Sequence, residues 1–191
     1  MTNKLPTGGF TLIEMLVAVF LLTVAISGPL TISSKGLTVA LVAKDQTTAF
    51  YLAQDAVEYV RSVRDTNTLK GRSWLAGLDG SPNPDTPPDG VSGDCVSAAG
   101  TASCYFDSLG NFVSGSANFA SCGGDCPKLL YNAPMYNYTT GTQTIFKRTV
   151  SITSPSNGAA NEAVLRVTLS WSDIGGVTRT ITVTEDLFNW Q

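Results

Sequence analysis

The sequence predicts an α+β fold in which a long N-terminal helix packs against a C-terminal antiparallel β-sheet. Residues 10–30 form one apolar run. Apolar residues then recur at three- and four-residue spacing up to residue 66, and near the C-terminus strict two-residue alternation takes over. The first pattern fits a membrane helix, the second a helix with one buried face, and the third strands with one buried face.

The apolar run reads FTLIEMLVAVFLLTVAISGPL. At about 1.5 Å rise per residue it spans roughly 30 Å, the hydrocarbon thickness of a bilayer. A polar segment, MTNKLPTGG, precedes it and carries Lys4. A cation on that side keeps that end cytoplasmic and places the chain after Pro29 outside. Glu14 is the anomaly, because a carboxylate within a membrane helix costs on the order of 2.5–3.5 kcal/mol. No residue of the same helix can neutralise it. Cutting the chain before Phe10 would create an α-amino group four residues away, able to pair with a glutamate on a neighbouring copy.

Gly9-Phe10-Thr11-Leu12-Ile13-Glu14 followed by an apolar run resembles the processing motif of type IV pilins and type II secretion pseudopilins. The resemblance implies a pilin-like fold, cleavage between Gly9 and Phe10 by a prepilin peptidase, N-methylation of Phe10, and assembly through Phe10 and Glu14. It implies other pilin subunits, an inner-membrane platform protein and an assembly ATPase as partners, besides membrane lipid. It also implies a single-pass membrane precursor that becomes part of an extracellular filament or a periplasmic or cell-wall pseudopilus. Lys4 departs from the family pattern by lying several residues before the cut. An ordinary signal peptide is the competing reading, with Met15–Ile26 as its apolar core and Ala25-Ile26-Ser27 as its cleavage site. Glu14 at the head of that core argues against it.

Gly28 and Pro29 mark either a kink or the end of the helix at the membrane surface, because Pro29 has no N–H for the Ala25 carbonyl. By resemblance, this joint melts in the filament. Helical spacing resumes at Leu37, with Ala49, Ala53, Ala56, Val60 and Val63 on one face. The other side carries Glu58, Arg61 and Asp65, which pair across helical turns. The small alanines let a sheet approach closely.

In the C-terminal part, Ala163, Leu165, Val167, Leu169 and Trp171 alternate with polar residues. Alternation restarts after the turn Asp173-Ile174-Gly175-Gly176, with Val177, Arg179, Ile181 and Val183 opposing a row of threonines. Two such runs about a Gly-Gly turn predict a β-hairpin. A further strand is predicted at 144–152, and the helix face must cover the apolar side. Leu187-Phe188-Asn189-Trp190 is similar to the ending of some pilin-like minor components, and is expected at the sheet edge.

The predicted organisation is a leader at 1–9, a transmembrane assembly helix at 10–30, and a helical stalk at 31–66. An irregular variable region at 67–143 and the sheet at 144–191 follow. Short elements are expected within the irregular region, among them a small hairpin of Tyr105-Phe106 and Phe112-Val113. Four cysteines, Cys95, Cys104, Cys122 and Cys126, all follow the apolar run and are expected as disulfides in an oxidising compartment. Sequence allows three connectivities, of which the local pairs Cys95–Cys104 and Cys122–Cys126 are favoured.

The 191 residues contain no histidine, which excludes histidine-based catalysis and metal binding. With no catalytic constellation or phosphate-binding loop, the chain is expected not to be an enzyme. Cysteine spacing favours disulfides over zinc. No metal or cofactor is expected, although Asp79, Asp85, Asp89 and Asp94 share a loop region that some pseudopilins use for Ca²⁺; solvated charges are the simpler reading. A net charge of −3 disfavours nucleic acid. Tyr131, Tyr136 and Tyr138 offer a contact surface or, more simply, pack on the sheet, and Asn137-Tyr138-Thr139 is a formal glycosylation sequon. Two functional readings follow: a structural subunit of a pilus or pseudopilus, or a minor tip subunit that binds or initiates through residues 67–143.

Overall fold

The computed structural model describes residues 8–79, 95–107, 119–155 and 161–189. Helix α1 runs over Leu12–Leu69, followed by strands β1 (Val96–Ser97), β2 (Cys104–Phe106), β3 (Phe119–Ser121), β4 (Lys128–Asn132), β5 (Met135–Asn137), β6 (Thr142–Thr153), β7 (Glu162–Ser172) and β8 (Thr178–Phe188). The fold is α+β, one long N-terminal helix with a C-terminal antiparallel sheet. The chain divides into two compact units, Met1–Ala43 and Lys44–Gln191.

In the first unit every residue from 8 to 41 is exposed in the isolated chain. Gly28 and Pro29 lie inside α1, so the helix does not end there. Hydroxyls in the apolar run bond back to the helix: Thr23 Oγ1 to the Phe20 carbonyl at 2.8 Å, Ser27 Oγ to Val24 at 2.9 Å, Thr31 Oγ1 to Ser27 at 2.9 Å. That pattern satisfies polar side chains without water, which a bilayer requires.

In the second unit the later part of α1 packs through Ala49, Leu52, Ala53, Ala56, Val57, Tyr59 and Val60. These residues share one core with the inner faces of β6 (Phe146, Val150, Ile152) and β7 (Ala163, Leu165, Val167, Leu169, Trp171). The strand alternation thus supplies one side of the core and the alanine-rich helix face the other. β6 is the hinge of the topology. One edge pairs with β7 from Lys147 to Thr153, and the other serves β4, β2 and β1 in turn. Among the described residues only β1 pairs in parallel with it.

The described residues of the variable region form more strand than the sequence suggests. They contribute β1 to β5, all members of the same eight-stranded sheet. The predicted hairpin partner of Tyr105-Phe106 also changes. β2 pairs with Phe119–Ser121, while Phe112-Val113 lies outside the described residues. The reason is aromatic packing: Phe106 faces Phe119 at 4.7 Å between ring centroids, and Tyr59 of α1 stacks on Phe106 at 4.4 Å.

Candidate functional site

The N-terminal segment of α1 is the candidate site. Thr11 Oγ1 accepts the Glu14 backbone N–H at 3.3 Å, and the Met15 N–H donates to the Thr11 carbonyl at 3.2 Å. Thr11 is therefore the N-cap, and Glu14 occupies the third helical position. Thr-x-x-Glu is the pattern of a capping box, in which the acidic side chain favours the positive end of the helix dipole. The sequence carried this signal in Thr11 and Glu14, but it lay hidden within the longer processing motif.

Gly8 and Gly9 lie in exposed coil just before the cap. A Cβ added at Gly9 would meet no atom within 4 Å. The fold therefore places no demand for glycine at this position, and any requirement for a small residue comes from outside it. Phe10 is 78% exposed, and Glu14 is exposed one helical turn further on. A bond between Gly9 and Phe10 is thus accessible, and its cleavage would leave an α-amino group beside Thr11. An ammonium there would sit at the positive end of the dipole, an unfavourable place without a carboxylate partner.

In the second unit the structure joins Cys95 to Cys104 and Cys122 to Cys126, with Cα atoms 5.3 and 4.8 Å apart. Cys95 and Cys104 are fully buried beside β1 and β2. Of the loop carboxylates, Asp79 is described and partly buried, while Asp85, Asp89 and Asp94 lie outside the described residues. Among the described residues no group of three or more Cys, Asp or Glu side chains gathers as a metal site.

The tyrosines divide. Tyr136 and Tyr138 pack against the core, whereas Tyr131 is exposed. Burial, first among its influences, pushes the Tyr138 phenol above its ordinary range. Asn137 is buried, and its carboxamide oxygen accepts the N–H groups of Thr139 and Thr140 at 2.9 and 2.7 Å. It shapes the turn after β5, which accounts for the sequon without a sugar. Sequence reasoning missed Arg148, a buried cation on the core side of β6. It gave no signal because its carboxylate partner, Asp55, lies far away on α1.

The N-capped helix is long and apolar enough to cross a membrane and opens beside an exposed Gly-Phe bond, which fits a membrane-anchored precursor. The family model for the prokaryotic N-terminal methylation motif matches residues 6–28, so the chain carries the prepilin-type motif of type IV pilins and pseudopilins. No curated protein and no solved structure matches the chain. The motif implies processing by a prepilin peptidase and assembly with other pilin subunits.

Proposed function

We propose that the chain is a structural subunit of a type IV pilus or pseudopilus, cut between Gly9 and Phe10, N-methylated at Phe10 and assembled through its N-terminal helix. The observation that carries this is the matched motif together with an exposed Gly9 whose small size the fold does not need. Before the cut the leader is cytoplasmic, held there by Lys4, and the body lies outside. After the cut the new ammonium at Phe10 needs a carboxylate, and Glu14 needs a cation in lipid. Pairing between neighbouring helices meets both needs at once and sets the register of packing. A platform protein and an ATPase extract the subunit from the membrane. The chain itself performs no catalysis and holds no cofactor.

Three experiments test this. Intact mass of the mature chain should show an N-terminus at Phe10 with one added methyl group. A mature chain that begins at Gly28, or one still carrying Met1, overturns the assignment. Gly9→Leu should block the cut without harming the fold, because open space surrounds the added side chain. Glu14→Ala should insert and be cut normally, yet enter filaments poorly. Normal incorporation of that variant refutes the charge pairing while leaving the cleavage intact.

A further inference from the structure

Exposed apolar side chains gather at one end of the second unit. The contacts between helix and sheet fix which end. Arg61 of α1 donates to Glu185 late in β8, and Arg148 midway along β6 donates to Asp55. Asp45 lies close enough to Tyr136 of β5 to raise its phenol, after burial and Tyr131. The start of this unit, Lys44, is therefore level with the β7–β8 turn, the β4–β5 turn and the first residues of β6. Among the described residues, seven large apolar side chains after α1 are exposed. Five of them, Tyr131, Met135, Ile145, Ile174 and Val177, sit at this end, so they form a patch and not a scatter.

The β7–β8 turn within this rim is built to lose water cheaply. Ile174 is 67% exposed and Val177 56%. The Asp173 N–H donates to the Val177 carbonyl, and the Gly176 N–H to the Asp173 carbonyl. The Gly175 and Val177 N–H groups donate to the Asp173 carboxylate, which Arg179 neutralises. Four backbone donors and the turn's carboxylate thus have partners inside the same hairpin. Polar groups satisfied in this way give up little when water is withdrawn.

The chain itself supplies the occupant. It reaches this end of the unit from the apolar run. The 14 steps from Leu30 to Lys44 span about 21 Å as a helix. Leu37, Val39 and Leu41 are exposed along them, and Lys35 is the only charge on the way. Apolar surface therefore continues from the run to the rim. Gly36 weakens the helix between the two, so a bend there lays the rim on the bilayer.

We propose that, before assembly, this rim rests in the headgroup layer of the same bilayer that holds the apolar run, with Ile174, Val177, Met135 and Tyr131 dipping into it. The proposal rests on the membrane-anchored reading given above. Tyr131 has an apolar ring with a polar tip, and Lys44 an apolar stem with a charged head, and both suit that layer. Contact at two places, helix and rim, fixes the rotation of the subunit about its helix. Neighbouring helices in one membrane then meet with a constant face.

The test uses the full chain with one copy per lipid nanodisc, so that no second copy covers the rim. The described cysteines are all in disulfides, so one added cysteine carries a dye. A dye at Ile174→Cys should lose most of its emission to lipids with a headgroup quencher. A dye at Val164→Cys, towards the other end of β7, should keep its emission. A dye at Val19→Cys, read with a quencher deep in the acyl chains, reports insertion of the apolar run. Quenching at residue 19 without quenching at 174, or equal quenching at 174 and 164, overturns the proposal and leaves the anchor standing. No quenching at 19 overturns both. A change at 174 that needs several copies per disc makes the occupant a second copy and overturns the proposal. Because a dye itself seeks lipid, the unlabelled chain gives a second reading. Paramagnetic headgroup lipids should broaden the amide signals of Gly175 and Gly176 and leave that of Val164 sharp. Ile174→Asp with Val177→Asp should abolish that broadening, and broadening that survives the double variant overturns the proposal.

Discussion

Arg148 Nη1 on β6 donates to Asp55 Oδ2 on α1 at 2.7 Å, from a side chain only 2% exposed. The same guanidinium donates to the carbonyls of Leu52 at 3.1 Å and Phe106 at 3.0 Å, and lies over the Phe106 ring at 4.7 Å. One cation thus ties the helix to β6 and β2, and its burial is tolerable because several acceptors and a ring face replace water.

Removing that cation strands two buried carbonyls and opens a cavity. Arg148→Ala should destabilise the second unit by about 4 kcal/mol. Asp55 is half exposed, so its charge is screened, and Asp55→Asn should cost only about 1 kcal/mol. Denaturant midpoints read from the buried Trp74 and Trp171 would give both values. Equal losses for the two variants would mean that the carboxylate, not the carbonyls and the ring, holds the arginine.

Gly141 precedes β6 with φ +118°, and a Cβ added there would collide with the Tyr131 carbonyl. The close approach is what lets β4 pair with the start of β6, Tyr131 opposite Thr142. Gly141→Ala should cost about 2–3 kcal/mol, since both an unfavourable backbone angle and a backbone clash must be relieved. Gly71 also has positive φ but open space around it, so Gly71→Ala should cost only about 1 kcal/mol. The same unfolding measurement ranks the two, and the reverse order would discount the collision.

The two disulfides should differ in weight. Cys95–Cys104 closes a separation of 9 residues between fully buried sulfurs, and Cys122–Cys126 one of 4. Loop-closure entropy alone gives about 2.6 kcal/mol for the first and about 1.9 kcal/mol for the second. Replacing the first pair by alanine also leaves two buried voids beside β1 and β2, so its loss should exceed that figure. Unfolding of the two double-alanine variants compares them. A larger effect at Cys122 and Cys126 would show that the buried bridge is not the stronger staple.

Legibility in the sequence followed the length of each pattern. β7 and β8 run for 11 residues each, long enough for alternation to declare both the strand and its buried face. β2 and β3 hold 3 residues apiece, and in each the buried phenylalanine, Phe106 or Phe119, has too few neighbours to reveal a period. The membrane helix and its glutamate could be read because the signal is local and chemically discordant. Arg148 could not, because a charged residue within a strand ordinarily marks the solvent side. Only the fold, which carries Asp55, Leu52 and Phe106 to it, reverses that meaning.

The turn between β7 and β8 should respond to acid through Asp173. Its carboxyl is held below the ordinary value of 3.8, first because Arg179 donates to it, and then because the Val177 and Gly175 amides do. A carboxyl with a lowered folded value stabilises the fold above its unfolded value, and that contribution disappears as pH falls through the folded value. The turn should therefore hold its geometry down to pH 3.8 and loosen only below it. The amide chemical shifts of Gly175 and Val177 should titrate together with a midpoint under 3.8. Arg179→Gln should move that midpoint upward, because the largest cause of the shift is gone. Asp173→Asn should abolish the titration, keeping an oxygen for the amides but no charge to lose. A midpoint at or above 3.8 in the unaltered chain would show that these bonds do not hold the carboxylate in its charged form.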